Sequence, residues 1–111
     1  MIIPKEIFSS SPEILLSCVA GIFDAEGSIY FDKRKKYKKP YPIIEIHMNN
    51  PLLIKQVSEI LKDNNIDNYV RDNFSRLYVY GEKEINNFID KVEIKNPKHL
   101  KKLDNFFKYY V

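Results

Sequence analysis

The stretch Val19-Ala20-Gly21-Ile22-Phe23-Asp24-Ala25-Glu26-Gly27 constrains this chain more than any other. It joins small residues at helical spacing, an apolar flank, and two carboxylates beside a glycine. Upstream, Ser11-Pro12-Glu13 reads as a helix start, with Ser11 as N-cap and Pro12 at the first helical position, where a missing N–H costs nothing. From there Ile14, Leu15, Cys18, Val19, Ile22 and Phe23 recur at three- and four-residue intervals and predict a broad apolar stripe. Gly21 and Ala25 lie four apart, so they share a face on which another backbone can come close. Such spacing suits tightly crossing helices in membranes, but this helix is too short and too acidic to span one. Gly27 is expected to end it, as glycine commonly does just past a C-terminus.

A carboxylate in the last turn of a helix is electrostatically misplaced, because the helix dipole is negative there. Asp24 and Glu26 therefore ask for an explanation. One is plain solvation. The other is a hard divalent cation, which takes carboxylate and carbonyl oxygens, the second kind being free at a helix terminus.

At 111 residues the chain is expected to form one domain, and 44% hydrophobic residues, 14% aromatic, allow a modest core. Eighteen Lys and Arg against fifteen Asp and Glu leave a net charge of +3, a weak pointer to nucleic acid. The single Cys18 excludes an internal disulfide and reads as a small buried hydrophobe in a reducing compartment. With no signal peptide and no apolar run near 18 residues, the expectation is a soluble intracellular protein of the cytoplasm, nucleoid or an organelle matrix, without a membrane partner.

Residues 1–10, with Ile2, Ile3, Ile7 and Phe8 around Pro4, read as a lead-in across the first helix, which with its motif takes residues 11–27. Residues 28–32 alternate as a strand, Ile29 and Phe31 facing the core and Ser28, Tyr30, Asp32 and Arg34 facing out. Lys33-Arg34-Lys35-Lys36-Tyr37-Lys38-Lys39 follows, six cations around one tyrosine, and in a hairpin loop beside long polar side chains this predicts phosphate contact. The second strand puts Ile44, Ile46 and Met48 inward and Ile43, Glu45 and His47 outward. Asn50-Pro51 starts a helix with Leu53, Ile54, Val57, Ile60 and Leu61 as its stripe. A second hairpin is expected from Tyr69 to Asn73 and Arg76 to Tyr80, with Tyr69, Arg71, Asn73, Arg76, Tyr78 and Tyr80 outward and Val70, Leu77 and Val79 inward. Residues 28–80 thus hold two hairpins flanking a helix, and 82–110 two terminal helices. The order α-β-β-α-β-β-α-α predicts an α+β fold, an antiparallel four-stranded sheet with helices on one face. Its other face, crowded with long polar and aromatic side chains, suits the major groove of DNA.

The nonapeptide Val19–Gly27 resembles the sequence that names the LAGLIDADG homing endonucleases. Ala20, Gly21, Asp24, Ala25 and Gly27 are identical, and the order of elements matches from about residue 11 onward. The resemblance implies the αββαββα fold with a saddle-shaped sheet and a site-specific double-strand DNA endonuclease. With one copy of the motif, two chains are needed for two active sites, so a homodimer is implied, its motif helices crossing at Cys18, Gly21, Ile22 and Ala25. It also implies Mg²⁺, or another divalent cation such as Mn²⁺, bound by Glu26 and the Ala25 carbonyl, with Asp24 structural. An amide near the end of the second strand, Asn49 or Asn50, would hold the attacking water, and Lys95, with Lys98 as fallback, would support the leaving group. DNA contacts would come from Ser28, Tyr30, Asp32, Glu45, His47, Tyr69, Arg71, Asn73, Arg76, Tyr78 and Tyr80, and phosphate contacts from Lys33, Arg34, Lys35, Lys36, Lys38 and Lys39. A two-fold dimer reading about 10 bp per subunit would take a pseudo-palindrome of roughly 20 bp. Glu26 departs from the family's commoner aspartate, and a single helix follows the core where many relatives carry more. Competing readings are a maturase that binds intron RNA, a regulator that binds DNA without cutting it, and a purely structural dimerisation domain.

Overall fold

The computed structural model describes residues 3–4, 11–32 and 41–110. Helix α1 runs Pro12–Glu26 and strand β1 Gly27–Asp32, followed by β2 Tyr41–His47 and α2 Pro51–Asp63. Then come β3 Tyr69–Arg71, β4 Arg76–Tyr80, α3 Gly81–Lys91 and α4 Pro97–Tyr110. The four strands form one antiparallel sheet in the order β1-β2-β4-β3. Its inner face carries Ile29, Ile44, Ile46, Leu77 and Val79, which join Val19, Ala20 and Phe23 of α1, the α2 stripe, Ile85 and Phe88 of α3, and Leu103 and Phe106 of α4 in one core. No helix among the described residues is long and apolar enough to cross a membrane.

The helix starts are those the sequence predicts. Ser11 Oγ accepts from the Ile14 N–H at 3.5 Å with Pro12 in the first turn. Asn50 Oδ1 accepts from the Leu53 N–H at 3.2 Å with Pro51 behind it. Each oxygen satisfies one of the donors that a helix N-terminus leaves orphaned.

The junction from α1 to β1 contains no loop. Gly27 is extended (φ −88°, ψ 164°), so it does not end the helix through a left-handed turn, as its position had suggested. It is glycine for a different reason. A Cβ there would lie 2.2 Å from Cδ1 of Phe23, whose buried ring occupies the space beside the strand. Phe23 meets Phe88 edge-on at 5.2 Å and the ring of His99 at 4.6 Å. His99 is itself buried, and neither ring nitrogen has a hydrogen-bond partner among the described residues. The apolar stripe of α1 is rotated from the expected one: Ala20 is buried, Leu15, Cys18 and Ile22 are partly covered, and Ile14 is 49% exposed.

Asp24 explains itself through a segment 71 residues away. Its carboxylate accepts from the backbone N–H of Lys95 at 3.2 Å and of Asn96 at 3.1 Å, while Asn96 Nδ2 donates to its carbonyl at 2.9 Å. Asn96 is the residue on which α4 begins, since it accepts from Lys98, His99 and Leu100. The carboxylate ends one helix but faces the positive end of another, which removes the electrostatic objection.

The second hairpin corrects the expected register. Asp72, Asn73 and Phe74 have φ of 55°, 56° and 63°, so β3 stops at Arg71 and Asn73 belongs to the turn, not to the strand face. Three consecutive left-handed residues cannot continue a ladder. Ser75 secures the turn by donating its N–H and hydroxyl to the Asp72 carbonyl at 3.2 and 2.7 Å.

Two expectations test this account by chemical denaturation. Gly21→Ala, where a Cβ meets nothing within 4 Å, stabilises the chain by up to about 1 kcal/mol through helix propensity, whereas Gly27→Ala destabilises it by about 1–3 kcal/mol because the Phe23 ring is forced aside. Asp24→Ala costs about 1–3 kcal/mol, the loss expected when partnered backbone donors lose a charged acceptor.

Candidate functional site

The first half of the site is the end of α1. The last backbone bond of the helix runs from the Gly27 N–H to the Phe23 carbonyl, so the Ala25 carbonyl lies beyond the intrahelical ladder. Ala25 and Glu26 are both exposed, and Glu26 makes no hydrogen bond or ion pair among the described residues. A groove of about 360 Å³ opens beside them, lined by Ser17, Cys18, Gly21, Ile22, Ala25 and Glu26 from α1 together with Ile3, Pro4, Met48 and Leu53. The four α1 residues expected to face a second copy therefore share one groove with the acid. A second groove of about 330 Å³ lies on the other flank, where Ser17, Gly21 and Asp24 meet Lys91 and Lys95. Gly21 sits on the ridge between the two, open to solvent.

The strand register brings the end of β2 to the same place. Gly27 pairs with Ile46, so Glu26 and the segment that follows Ile46 leave the sheet at one end. His47 and Asn49 are exposed there, while Asn50 is occupied in capping α2. The Lys95 backbone is held by Asp24, and its exposed side chain lines the groove on the Asp24 flank, not the one onto which Glu26 opens. Lys98, in the first turn of α4, is exposed and donates its N–H to Asn96 Oδ1.

The donor chemistry of this corner suits a hard cation: one unengaged carboxylate next to a carbonyl outside the helix ladder. It is half a site. Among the described residues no three His, Cys, Asp or Glu side chains gather to hold a metal.

The second half is the outer sheet face. Its rows read Ser28–Glu45–Tyr78–Tyr69, Tyr30–Ile43–Tyr80, Asp32–Tyr41 and His47–Arg76–Arg71. The outward strand residues expected from the alternation share this face where they are described, with Asn73 displaced into the turn. Lys33, Arg34, Lys35, Lys36, Lys38 and Lys39 lie outside the described residues. Ile43, the apolar exception, is buried between Tyr30 and Tyr80. Tyr78 and Tyr80 stack at 5.5 Å and 10°, and Tyr69 tilts against Tyr80 at the same distance.

A polar network ties these rows together. Glu45, with its side chain only 12% exposed, accepts from Arg76 Nη1 at 2.6 Å, and the Tyr30 phenol lies near it. Burial first and the Glu45 charge second push the Tyr30 phenol up to about 12. Arg76 Nε is also ion-paired with Asp72 at 3.0 Å, and the neighbouring Tyr78 and Glu45 hold the guanidinium above the ordinary arginine value. Burial raises the Tyr80 phenol against the opposing pull of the Arg71 charge.

Tyr41 escaped the sequence reading, although extending the Ile43–Glu45–His47 alternation back by two residues would have found it. It lines a groove of about 530 Å³ with Asp32, Ile43, Tyr69, Arg71, Tyr80, Asp67 and Glu84. Nothing in the local sequence announced that Asp67 and Glu84 join this wall, because they meet only through the fold, Glu84 accepting from the Asp67 N–H at 2.5 Å.

The family model of the LAGLIDADG-like domain matches residues 13–93. A comparison with curated proteins finds no match. Among solved structures, the chain resembles the LAGLIDADG homing endonuclease I-LtrWI bound to target DNA, with a TM-score of 0.54 and 22% identity over 88% of this chain and 39% of that one. It equally resembles the LAGLIDADG homing endonuclease I-GzeII in complex with a DNA target, with a TM-score of 0.54 and 22% identity over 90% of this chain and 37% of that one. The chain thus spans about two-fifths of the length of these structures, and at this identity the likeness is one of fold. The family match runs through the motif helix, both hairpins and α3, so the chain belongs to the LAGLIDADG-like domain family.

Proposed function

We propose that this chain is a site-specific, divalent-metal-dependent DNA endonuclease of the homing type, acting as a homodimer on a pseudo-palindromic duplex. The observation that carries this reading is the exposed Glu26, without a partner among the described residues, at the end of the motif helix, beside the open Gly21–Ala25 ridge and one edge of the polar, tyrosine-rich sheet face. One chain offers one such acid, and a second chain crossing at Gly21 would bring up the other. The solved relatives are each more than twice the length of the part matched here, room enough for two such units in one chain.

When bound, Mg²⁺ or Mn²⁺ would supply an activated water and charge stabilisation for the leaving oxygen. Glu26 and the Ala25 carbonyl are the ligands this chain offers. Asn49 is favoured over Asn50 for holding the attacking water, since the Asn50 side-chain oxygen already accepts from Leu53. Lys95, on the Asp24 flank of the motif, or Lys98 as fallback, would support the leaving group. The outer sheet residues would meet base edges, and phosphates would be met by the exposed Arg71 and by the cations of residues 33–39. A maturase remains the second reading, favoured by the clustered rings of Tyr69, Tyr78 and Tyr80, on which unpaired RNA bases can stack.

Cleavage selection from a randomised palindromic DNA library tests the reading. A two-fold motif is expected with Mg²⁺, and with Glu26→Gln cleavage should fall by more than about 100-fold while binding persists, since residues that only orient a metal ligand already cost about 10–100-fold. A Glu26→Gln chain that cuts at the parental rate would place the active site elsewhere. Gly21→Leu should sediment as a monomer with cleavage lost, because a branched side chain on the ridge holds a second helix off; a persisting dimer would refute this crossing.

A further inference from the structure

Arg76 stands at the end of the outer sheet face nearest the acid of α1. Its neighbour Leu77 pairs with Ile46, which pairs with Gly27, so two strand spacings, about 10 Å, separate this part of β4 from the residue after Glu26. The guanidinium is no loose surface cation. Nη1 donates to Glu45 at 2.6 Å, and Nε is ion-paired with Asp72 at 3.0 Å. The Tyr30 phenol lies close enough to Glu45 to feel its charge.

Two carboxylates on one guanidinium more than cancel its charge. A phosphate approaching that cluster is repelled, whereas a neutral acceptor edge is not. Glu45 takes one Nη1 N–H, and Asp72 faces Nε. Of the other Nη N–H groups, two suffice for the O6 and N7 that a guanine offers arginine in the major groove. Arg71, in the same row, is the contrast: it is exposed, and no carboxylate pairs with it among the described residues.

We propose that Arg76 is a specificity-determining residue that reads a guanine in the part of each half-site nearest the dyad, with Glu45 and Asp72 as its positioning residues. This rests on the reading of the chain as a homodimeric DNA-binding enzyme. The test is selection of bound duplexes from a randomised palindromic library, with Ca²⁺ in place of Mg²⁺, combined with the slope of log affinity against log salt. Wild type, Arg76→Lys and Glu45→Gln are compared, and Arg76→Lys keeps a cation beside Glu45 so that the acid is not stranded.

Wild type should recover a guanine at one symmetry-related pair of positions. Arg76→Lys should lower that preference by about 10- to 100-fold, the range a bidentate pair supplies, with the salt slope unchanged. Glu45→Gln should also weaken the preference, while steepening the slope by up to one phosphate contact as the cluster loses one negative charge. An unchanged preference in Arg76→Lys, or a loss of affinity uniform across sequences, overturns the assignment and leaves the enzyme reading intact. A wild-type chain that binds no duplex DNA overturns both.

Discussion

The contact between the Phe23 ring and the bare backbone of Gly27 sets the phase of the whole molecule. Because α1 runs into β1 without a loop, the rotation of the helix about its axis dictates which residues of the strand face the core. With Phe23 inward against Phe88 and His99, Ala25 and Glu26 are turned to solvent. Ile29 then falls inward, and Ser28 and Tyr30 outward. A shift of one residue at this junction would exchange the two sheet faces, since side chains alternate with a period of two. The ring that fills the core and the acid that leaves it are therefore placed by the same packing event.

The two carboxylates of the motif illustrate how position separates roles that the sequence presents as similar. Asp24 and Glu26 are two residues apart and both oppose the dipole of α1. Asp24 is drawn into the protein by backbone N–H groups at the start of α4 and so ties the first helix to the last. Glu26 has no such partner among the described residues and stays available to a ligand from outside. Stability and chemistry are thus divided between neighbouring acids.

What the sequence made legible is what local physics decides. Capping oxygens followed by proline, three- and four-residue apolar periods, and strand alternation each act within a few residues, and they placed every element in its order. Ser11, Asn50 and the Ile44–Ile46 and Leu77–Val79 pairs are such cases. Features that depend on distant partners were not legible. The acceptor role of Asp24 needs residues 95 and 96, and the Arg76–Glu45 bond spans 31 residues. Even the reason for Gly27 is tertiary: the residue type was right for a helix end, but the cause is a ring, not a turn. Asn73 was misplaced because three successive left-handed residues, one of them Phe74, follow no simple turn rule.

On the outer face, charge is arranged so that attraction and discrimination are separable. Arg71 lacks a carboxylate partner among the described residues and keeps its charge for long-range attraction of a polyanion, which is insensitive to sequence. Arg76 is neutralised by Glu45 and Asp72, and the orienting bonds that cost it attraction give it a fixed direction. Buried Ile43 between Tyr30 and Tyr80 keeps that network from slackening, because the rings have an apolar floor and their hydroxyls turn to the charged groups beside them. On the proposed reading, a face built this way need not choose between holding DNA and inspecting it, since different side chains in the same row would answer to phosphate and to base.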